Sequence, residues 1–477
     1  MKKVLLTTCI CMLLIANSAA AAVHRVPDDF PTIQAAIDAA QDFDTVILAP
    51  QTYTGFGNYN ISLRGKKITV TGTDPADWNV VESTVIDGAG RYQGFRFYWA
   101  ETPEAKVTGI KITNCYGFLG GAIYCYNNSS PTIANCAIVA NSGIYGGAIC
   151  CTNTYSRPTI TNCRILANSA SGAGGAIYCN AASPAIRNCT ISGNFAPQGG
   201  AVYAHNPGTP LLLNSTVSTN SASLRAGALY CFAASNLSVS NSILSNNQAS
   251  YAPQILVGFS GATTTAEIAY SDIRNRTQSV LVETGSTLNW AQGNIDVDPC
   301  FVQPGSWDGA QTTLSGDYHL IADSACIDAG DPDFAAEPSE ADIDADARIM
   351  GQAVDIGADE FRSAALVALV NAKPNTLNLD SNLKWIFCDI KLPDGYDIAD
   401  VDLSSIRLAA QLQPVWSVID EYEAKVAVKF DRSHAEPLIT AQQPPSVNIS
   451  GKLNDGTSFA GSDTIRIKQA NAKAKHK

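Results

Sequence analysis

The chain has 477 residues, with 43 Asp and Glu against 31 Lys and Arg and a formal charge of −12. That length favours two domains over one, and so acidic a balance disfavours nucleic acid or an anionic membrane as partner. With 16% charged residues and 36 Gly it is a globular chain, not a disordered one.

Residues 1–22 read as a secretory signal: Lys2 and Lys3, an apolar core from Val4 to Ala16, then Ser18 and the run Ala19–Ala22. No other stretch is long and apolar enough to span a bilayer. The mature chain is expected to be exported, secreted or at the cell surface, without a transmembrane segment. Next, in residues 24–50, Ile33, Ala36, Ile37 and Ala40 share one helical face, with Pro31 and Thr32 suited to the helix start. Thr45–Ala49 follows as a strand. A short amphipathic helix here suits a cap over the open end of a strand stack.

Residues 107–250 carry the clearest pattern. An apolar residue, a spacer, Asn, then Cys or Ser recurs with Asn at 114, 135, 162, 188, 214 and 241, in steps of 21, 27, 26, 26 and 27 residues. A phrase of the type G-G-A-I-Y-C runs in phase with it, at 120–125, 146–151, 174–179, 199–204 and 226–231. Such a period means a solenoid, because one unit cannot bury its apolar face alone. Each repeat holds three short alternating runs broken by Asn, Gly and Pro, which is strand punctuation. Three strands per turn stacked at about 4.8 Å make a parallel β-helix. The Asn column suits corners that need a left-handed backbone, and its amides are placed to bond along the column. If Ile123 and Cys125 point inward, Tyr124 points outward. Its equivalents are Cys150, Tyr178, Tyr203 and Tyr230, so Tyr124, Tyr178, Tyr203 and Tyr230 are candidates for stacking on sugar rings. The plainer reading is that Tyr favours strands and stacks on itself.

Residues 50–330 would give about eleven coils of roughly 26 residues, about 50 Å of stack. Across 366–468 the period stops, and longer alternating runs separated by turn signals read as a β-sandwich. The basic tail 469–477 reads as disordered.

The repeats resemble those of the right-handed parallel β-helix in the pectate-lyase-like superfamily. The G-G-A-I phrases, with N-x-A before some of them at Asn168–Ala170 and Asn194–Ala196, are similar to the repeats of polymorphic outer-membrane proteins. The segment before the first coil resembles the N-terminal cap of secreted β-helix proteins. G-N-I-D-V-D-P-C-F-V, D-Y-H-L-I-A-D-S-A-C-I-D-A-G-D-P and V-D-I-G-A-D-E-F, within 292–361, resemble the closing segment of many secreted bacterial ones. The resemblance implies a right-handed parallel β-helix over 23–361 with an N-terminal helical cap; with the C-terminal β-sandwich read over 366–468, the expected architecture is all-β. It implies no one activity, since the fold carries lyases, hydrolases, esterases and adhesins.

From Ala105 to Ala266 there is no Asp and no Glu. Carboxylate-held Ca²⁺ and the paired carboxylates of glycoside hydrolysis therefore find no footing on the central coils themselves. Any such site must draw on the flanks, on Asp87, Arg91, Arg96, Glu101 and Glu104 or on Glu267, Asp272, Arg274, Asp296 and Asp298; the plainer reading makes these loop charges and turn formers. Asp342, Asp344 and Asp346 form D-x-D-x-D, which lacks the Gly and Glu of an EF-hand loop but leaves a calcium site open. His24, His205, His319 and His434 are scattered without zinc spacing. Two Cys columns (115, 136, 163, 189 and 125, 151, 179, 231) read as buried reduced thiols. Cys300 and Cys326, off the columns, are the pair expected to form a disulfide in an exported chain. The reading that follows is an exported, non-enzymatic β-helix protein presenting an elongated surface to polysaccharide or the cell envelope, with no cofactor required. The alternatives are a polysaccharide lyase or glycoside hydrolase with its site on a flank, and a purely structural envelope component.

Overall fold

The computed structural model describes residues 21–468 apart from 259–262, 308–312, 315, 338–339, 363–365, 394, 443 and 455–456. The leader and tail readings therefore lie outside the described residues, save for Ala21 and Ala22. The repeats stack as parallel strands in phase: Ile123 sits on Ile149, Ile149 on Ile177, and Ile133 on Ile160. Each repeat supplies four strands, one more than the sequence pattern suggests. In one coil they are Thr132–Ala134, Ala137–Val139, Ser142–Tyr145 and Ile149–Thr152. The four resulting sheets, taken here as first to fourth in that order, have 11, 9, 6 and 8 strands.

The corners explain the repeat's spelling. All six Asn of the column, 114 through 241, have φ between 47° and 52°, the left-handed region that Asn tolerates. At the corner between third and fourth sheets the two glycines do different work. Gly146 has φ +73°, whereas a Cβ on Gly147 would lie 2.2 Å from the carbonyl oxygen of Gly175 in the next coil. The first glycine serves the turn and the second serves close stacking. Inside, columns of Ile, Val, Leu and Cys from the first, second and fourth sheets form one continuous core. The helix Ile33–Ala39, N-capped by Thr32, packs Ile33, Ala36 and Ile37 into that same core.

A second Asn column does the bonding expected of the first. Asn141, Asn168, Asn194, Asn220 and Asn247 are all buried just before the third sheet. Each Oδ1 from Asn168 to Asn247 accepts the backbone N–H and the side-chain Nδ2–H of the Asn one coil earlier, at 2.8–3.0 Å. In the column of Asn114, a single such bond is present among the described residues, Asn241 to Asn214 at 3.0 Å.

From 366 onward two four-stranded sheets enclose a separate core of Val370, Ile386, Ile390, Val426, Val428, Phe430 and Ile449, consistent with a β-sandwich. One sheet runs Leu369–Lys373, Trp385–Lys391, Lys425–Asp431, Trp416–Asp420 in spatial order.

Candidate functional site

The closing segment does more than end the stack: it returns along its outside. The Asn114 column turns its amides outward at the corner between first and second sheets, and the returning chain bonds to them. Asn241 Oδ1 accepts from the Asp331 N–H at 2.8 Å. Asn188 and Asn162 donate to the carbonyls of Ala341 and Asp342, at 3.0 and 3.2 Å. The Trp78 indole, much earlier in the chain, donates to the Ile343 carbonyl at 2.9 Å. On the outer face of the second sheet the Tyr318 hydroxyl meets Ser192 and Thr219, at 2.5 and 2.7 Å. Both faces of Thr190–Ser192, Thr216–Ser218 and Ile243–Ser245 are consequently buried. A strap thus crosses several coils from outside.

The strap overturns one inference drawn from the sequence. The central coils have no acid of their own, yet Asp317, Asp344 and Asp359 are brought over them. Asp317 and Asp359, with Glu82, Lys111, Arg164, Thr190, Ser192 and His319, line a cleft of about 470 Å³, and Asp344 stands behind His319 and Arg164. His319, scattered from other histidines in sequence, lies at its centre. One ring nitrogen meets Asp317 Oδ1 and the other meets Asp344 Oδ2 at 2.5 Å. The two carboxylates push its pKa up to about 10, so the ring is an imidazolium at neutral pH. Asp344 also faces the Arg164 guanidinium at 3.3 Å, and that guanidinium stacks 3.8 Å from the Trp78 ring centroid. Lys111 pairs with Glu82 at 2.7 Å. Asp359, buried and accepting only the Leu320 N–H among the described residues, is raised to about 6 by desolvation.

His319, Asp344 and Asp359 each offer a ligand atom within 4.8 Å of the others. A metal binds neutral imidazole, however, and His319 would first have to give up a proton held between two carboxylates. The cations and carboxylates of the cleft mostly satisfy one another, as fastenings do. Asp359 is the group placed to exchange a proton in the neutral range.

The Tyr column is in register as expected: Tyr124 beside Cys150, then Tyr178, Tyr203 and Tyr230. Its exposure is not. The third and fourth sheets meet at an inside angle, and outward side chains of both fill the notch. Tyr178, Tyr203 and Tyr230 are 7%, 8% and 1% exposed, so they pack on one another instead of forming an open platform. Only Tyr124 is half-open. The open rings lie at the N-terminal end of the notch, in Phe118 at 61% and Tyr126 at 45% exposure. Tyr124 and Tyr126 stack at 5.9 Å, and Phe118, Tyr145, Tyr178 and Tyr203 form a run with centroids 6.0, 5.0 and 5.4 Å apart. Alternation in the A-I-Y-C-Y stretch marks Tyr126 as outward too, but the inside angle between sheets has no sequence signal.

The D-x-D-x-D carboxylates do not converge. Asp342 accepts the N–H groups of Asp344, Asp346 and Glu360, Asp344 faces His319 and Arg164, and Asp346 faces Arg362. Asp342 thus folds its own loop. The expected Cys300–Cys326 bridge is absent, both thiols being free. Cys326 is fully buried with its sulfur 3.9 Å from Asp272 Oδ2, while Cys300 occupies a half-exposed left-handed corner. Of the flank charges, Glu101 is buried and accepts from Trp99, Gly65 and Ser129, and Asp296 caps Asn275 and Arg276. Both are turn formers.

These stacked sheets define a right-handed parallel β-helix protein. Residues 52–214, about a third of the chain, match the family described as right handed beta helix region. No curated protein matches. Among solved structures, the crystal structure of pectate lyase Pel9A is similar at 15% identity and a TM-score of 0.37, covering 72% of this chain and 97% of that one. A likeness of that size says nothing of activity.

Proposed function

We propose that the chain is an exported, non-enzymatic β-helix protein that holds a polysaccharide or cell-envelope glycan against the open end of its aromatic notch. The carrying observation is the run of rings from Tyr203 to Phe118, rigid where it is buried and accessible where Phe118, Tyr124 and Tyr126 emerge. Flat rings fixed by a packed base suit the apolar face of a sugar at little entropic cost. Among the described residues no helix is long and apolar enough to cross a membrane. The reading of residues 1–22 as a signal supports export. The test is retention on a panel of neutral and acidic glycans, with and without Ca²⁺. Retention without cleavage, weakened about tenfold or more by Phe118→Ala with Tyr126→Ala, is the expected result. Retention unchanged by that pair refutes the notch as the site.

A second reading is favoured by the acids that the strap carries over the coils. In it the cleft is the site of a polysaccharide lyase or glycoside hydrolase, with Asp359 moving the proton. New unsaturated or reducing ends, lost in Asp359→Asn, would establish it. Neither retention nor cleavage would leave a purely structural envelope component.

A further inference from the structure

The outward face of one C-terminal sheet is built unlike the rest of the surface. Alternation sends Ile386, Cys388, Ile390, Val426, Val428 and Phe430 into the core. It sends Trp385, Phe387, Ala427 and Lys429 the other way. Strand register then lays Lys373, Phe387, Lys429 and Trp416 in one row across four strands, about 14 Å at the usual strand spacing. The next row is Asn371, Asp389, Ala427 and Val418. Phe387, Trp416 and Val418 are 43%, 46% and 40% exposed, and the small Ala427 leaves a shallow floor beside them. The Lys429 ammonium lies 4.6 Å from the Trp385 centroid and 5.9 Å from that of Trp416. Asp389 is taken by Lys373 at 2.8 Å and Lys425 at 3.7 Å. Among the described residues no carboxylate lies within 4.0 Å of Lys429.

We infer that this face binds an acidic polysaccharide, a chain of uronic-acid type laid across the strands. Its sugar rings would stack on Trp416 and Phe387, and a carboxylate would meet Lys429 between them. Aromatic rings alone would suit a neutral glycan; an unpaired ammonium set among them adds the anion. An anionic membrane fits less well, because a plane of charge meets the whole body of a chain carrying −12. A single strand meets only this face, within a Debye length of about 8 Å. The inference is independent of the notch, which lies on the β-helix.

The test uses the full chain against alginate and against carboxyl-reduced alginate, which keeps the linkage and loses the charge. Alginate should bind more tightly than its reduced form, and salt should narrow the gap. Lys429→Gln should weaken alginate about five- to tenfold while sparing the reduced polymer. Trp416→Ala should weaken both about tenfold. In a chain already carrying Phe118→Ala with Tyr126→Ala, Lys429→Gln and Trp416→Ala should cause the same fold losses as in the wild type, which separates this face from the notch. Alginate binding that ignores Lys429→Gln and Trp416→Ala overturns the inference. So does preference for the reduced polymer, or tight binding of phosphatidylserine vesicles or poly-glutamate in place of alginate.

Discussion

Replacing Asn194 by alanine removes five hydrogen bonds from the inside of the stack. Its Oδ1 accepts the Asn168 backbone N–H at 2.9 Å and the Asn168 Nδ2 at 3.0 Å. Its Nδ2 donates to the Ile165 and Ser192 carbonyls and to Asn220 Oδ1, at 2.9, 3.1 and 2.8 Å. Some partners keep a second bond: Asn168 Nδ2 retains the Ile138 carbonyl and the Ser192 carbonyl retains the Ala167 N–H. The Asn168 backbone N–H is left alone in a site where Asn168 and Asn194 are 1% and 0% exposed. One orphaned buried donor costs about 1–3 kcal/mol, and the remaining lost bonds add about 0.5–1.5 each at most. The expected loss is about 3–5 kcal/mol. Asn194→Asp should cost at least as much, since it turns a carboxylate toward three acceptors. Asn114→Ala is the control. That side chain is exposed, bonds among the described residues only to Asp87 and sits at φ 52°, so the backbone cost of about 1 kcal/mol should dominate. Urea unfolding followed by far-ultraviolet circular dichroism gives both numbers. An Asn194→Ala protein within 0.5 kcal/mol of wild type, at unchanged m, would refute the ladder as a source of stability.

Stability of the strap should fall as pH rises from about 4 to 10. Burial raises Asp272 to about 7, Asp355 and Asp359 to about 6 and Glu360 to about 8, so the folded chain holds protons that the unfolded chain has released above about 4. His319, raised to about 10, has its stabilisation fully present below about 6.5 and loses it toward 10, in the same direction. Asp344, lowered by His319, acts oppositely, but only below about 4. Hydrogen exchange over 317–361 should therefore be faster at pH 9 than at pH 5 after correction for intrinsic rates; equal or slower corrected exchange would contradict the assignment. The thiols offer a separate check. All twelve cysteines among the described residues are free and, Cys300 apart, buried, with desolvation pushing Cys115 up to about 12 and Cys231 to about 11. A thiol reagent should find about twelve groups in the denatured chain without residues 1–22 and almost none besides Cys300 in the native one; a count near ten would restore the Cys300–Cys326 bridge.

Much of the β-helix was legible because it repeats. The columns of Asn114 to Asn241, of Tyr178 to Tyr230 and of the cysteines follow from spacing alone, and parallel stacking turns equal spacing into vertical contact. What spacing does not carry is curvature. The N-S stretch after Asn141 makes a third strand of its own, and the inside angle at Gly146 and Gly147 turns an outward Tyr column into a second small core. The same limit hid the bonded ladder: two Asn recur at one period, and only the inward one, Asn194 and its neighbours, is surrounded by acceptors. The candidate cleft was illegible for another reason. Arg164 and His319 are 155 positions apart, and no periodicity links a repeat to a segment that does not repeat.

The strap changes what the missing acids of the middle coils mean. Left-handed Asn corners oblige the column to point its amides outward, where they would otherwise bond to water. The returning chain takes Asn162, Asn188 and Asn241 as its anchors and lays Asp344 against Arg164. Carboxylates on the coils at those levels would repel the strap's own acids across a few ångströms, so an acid-free wall is what an acidic strap requires. The same physics argues against reading Asp317, Asp344 and His319 as free catalytic groups. Both N–H groups of the His319 imidazolium point at carboxylates, and Asp344 is shared between His319 and Arg164, so using any of the three on a ligand means giving up a charge-assisted bond. Asp359 escapes that argument, which is why Asp359→Asn is the variant that divides a binding surface from an enzyme.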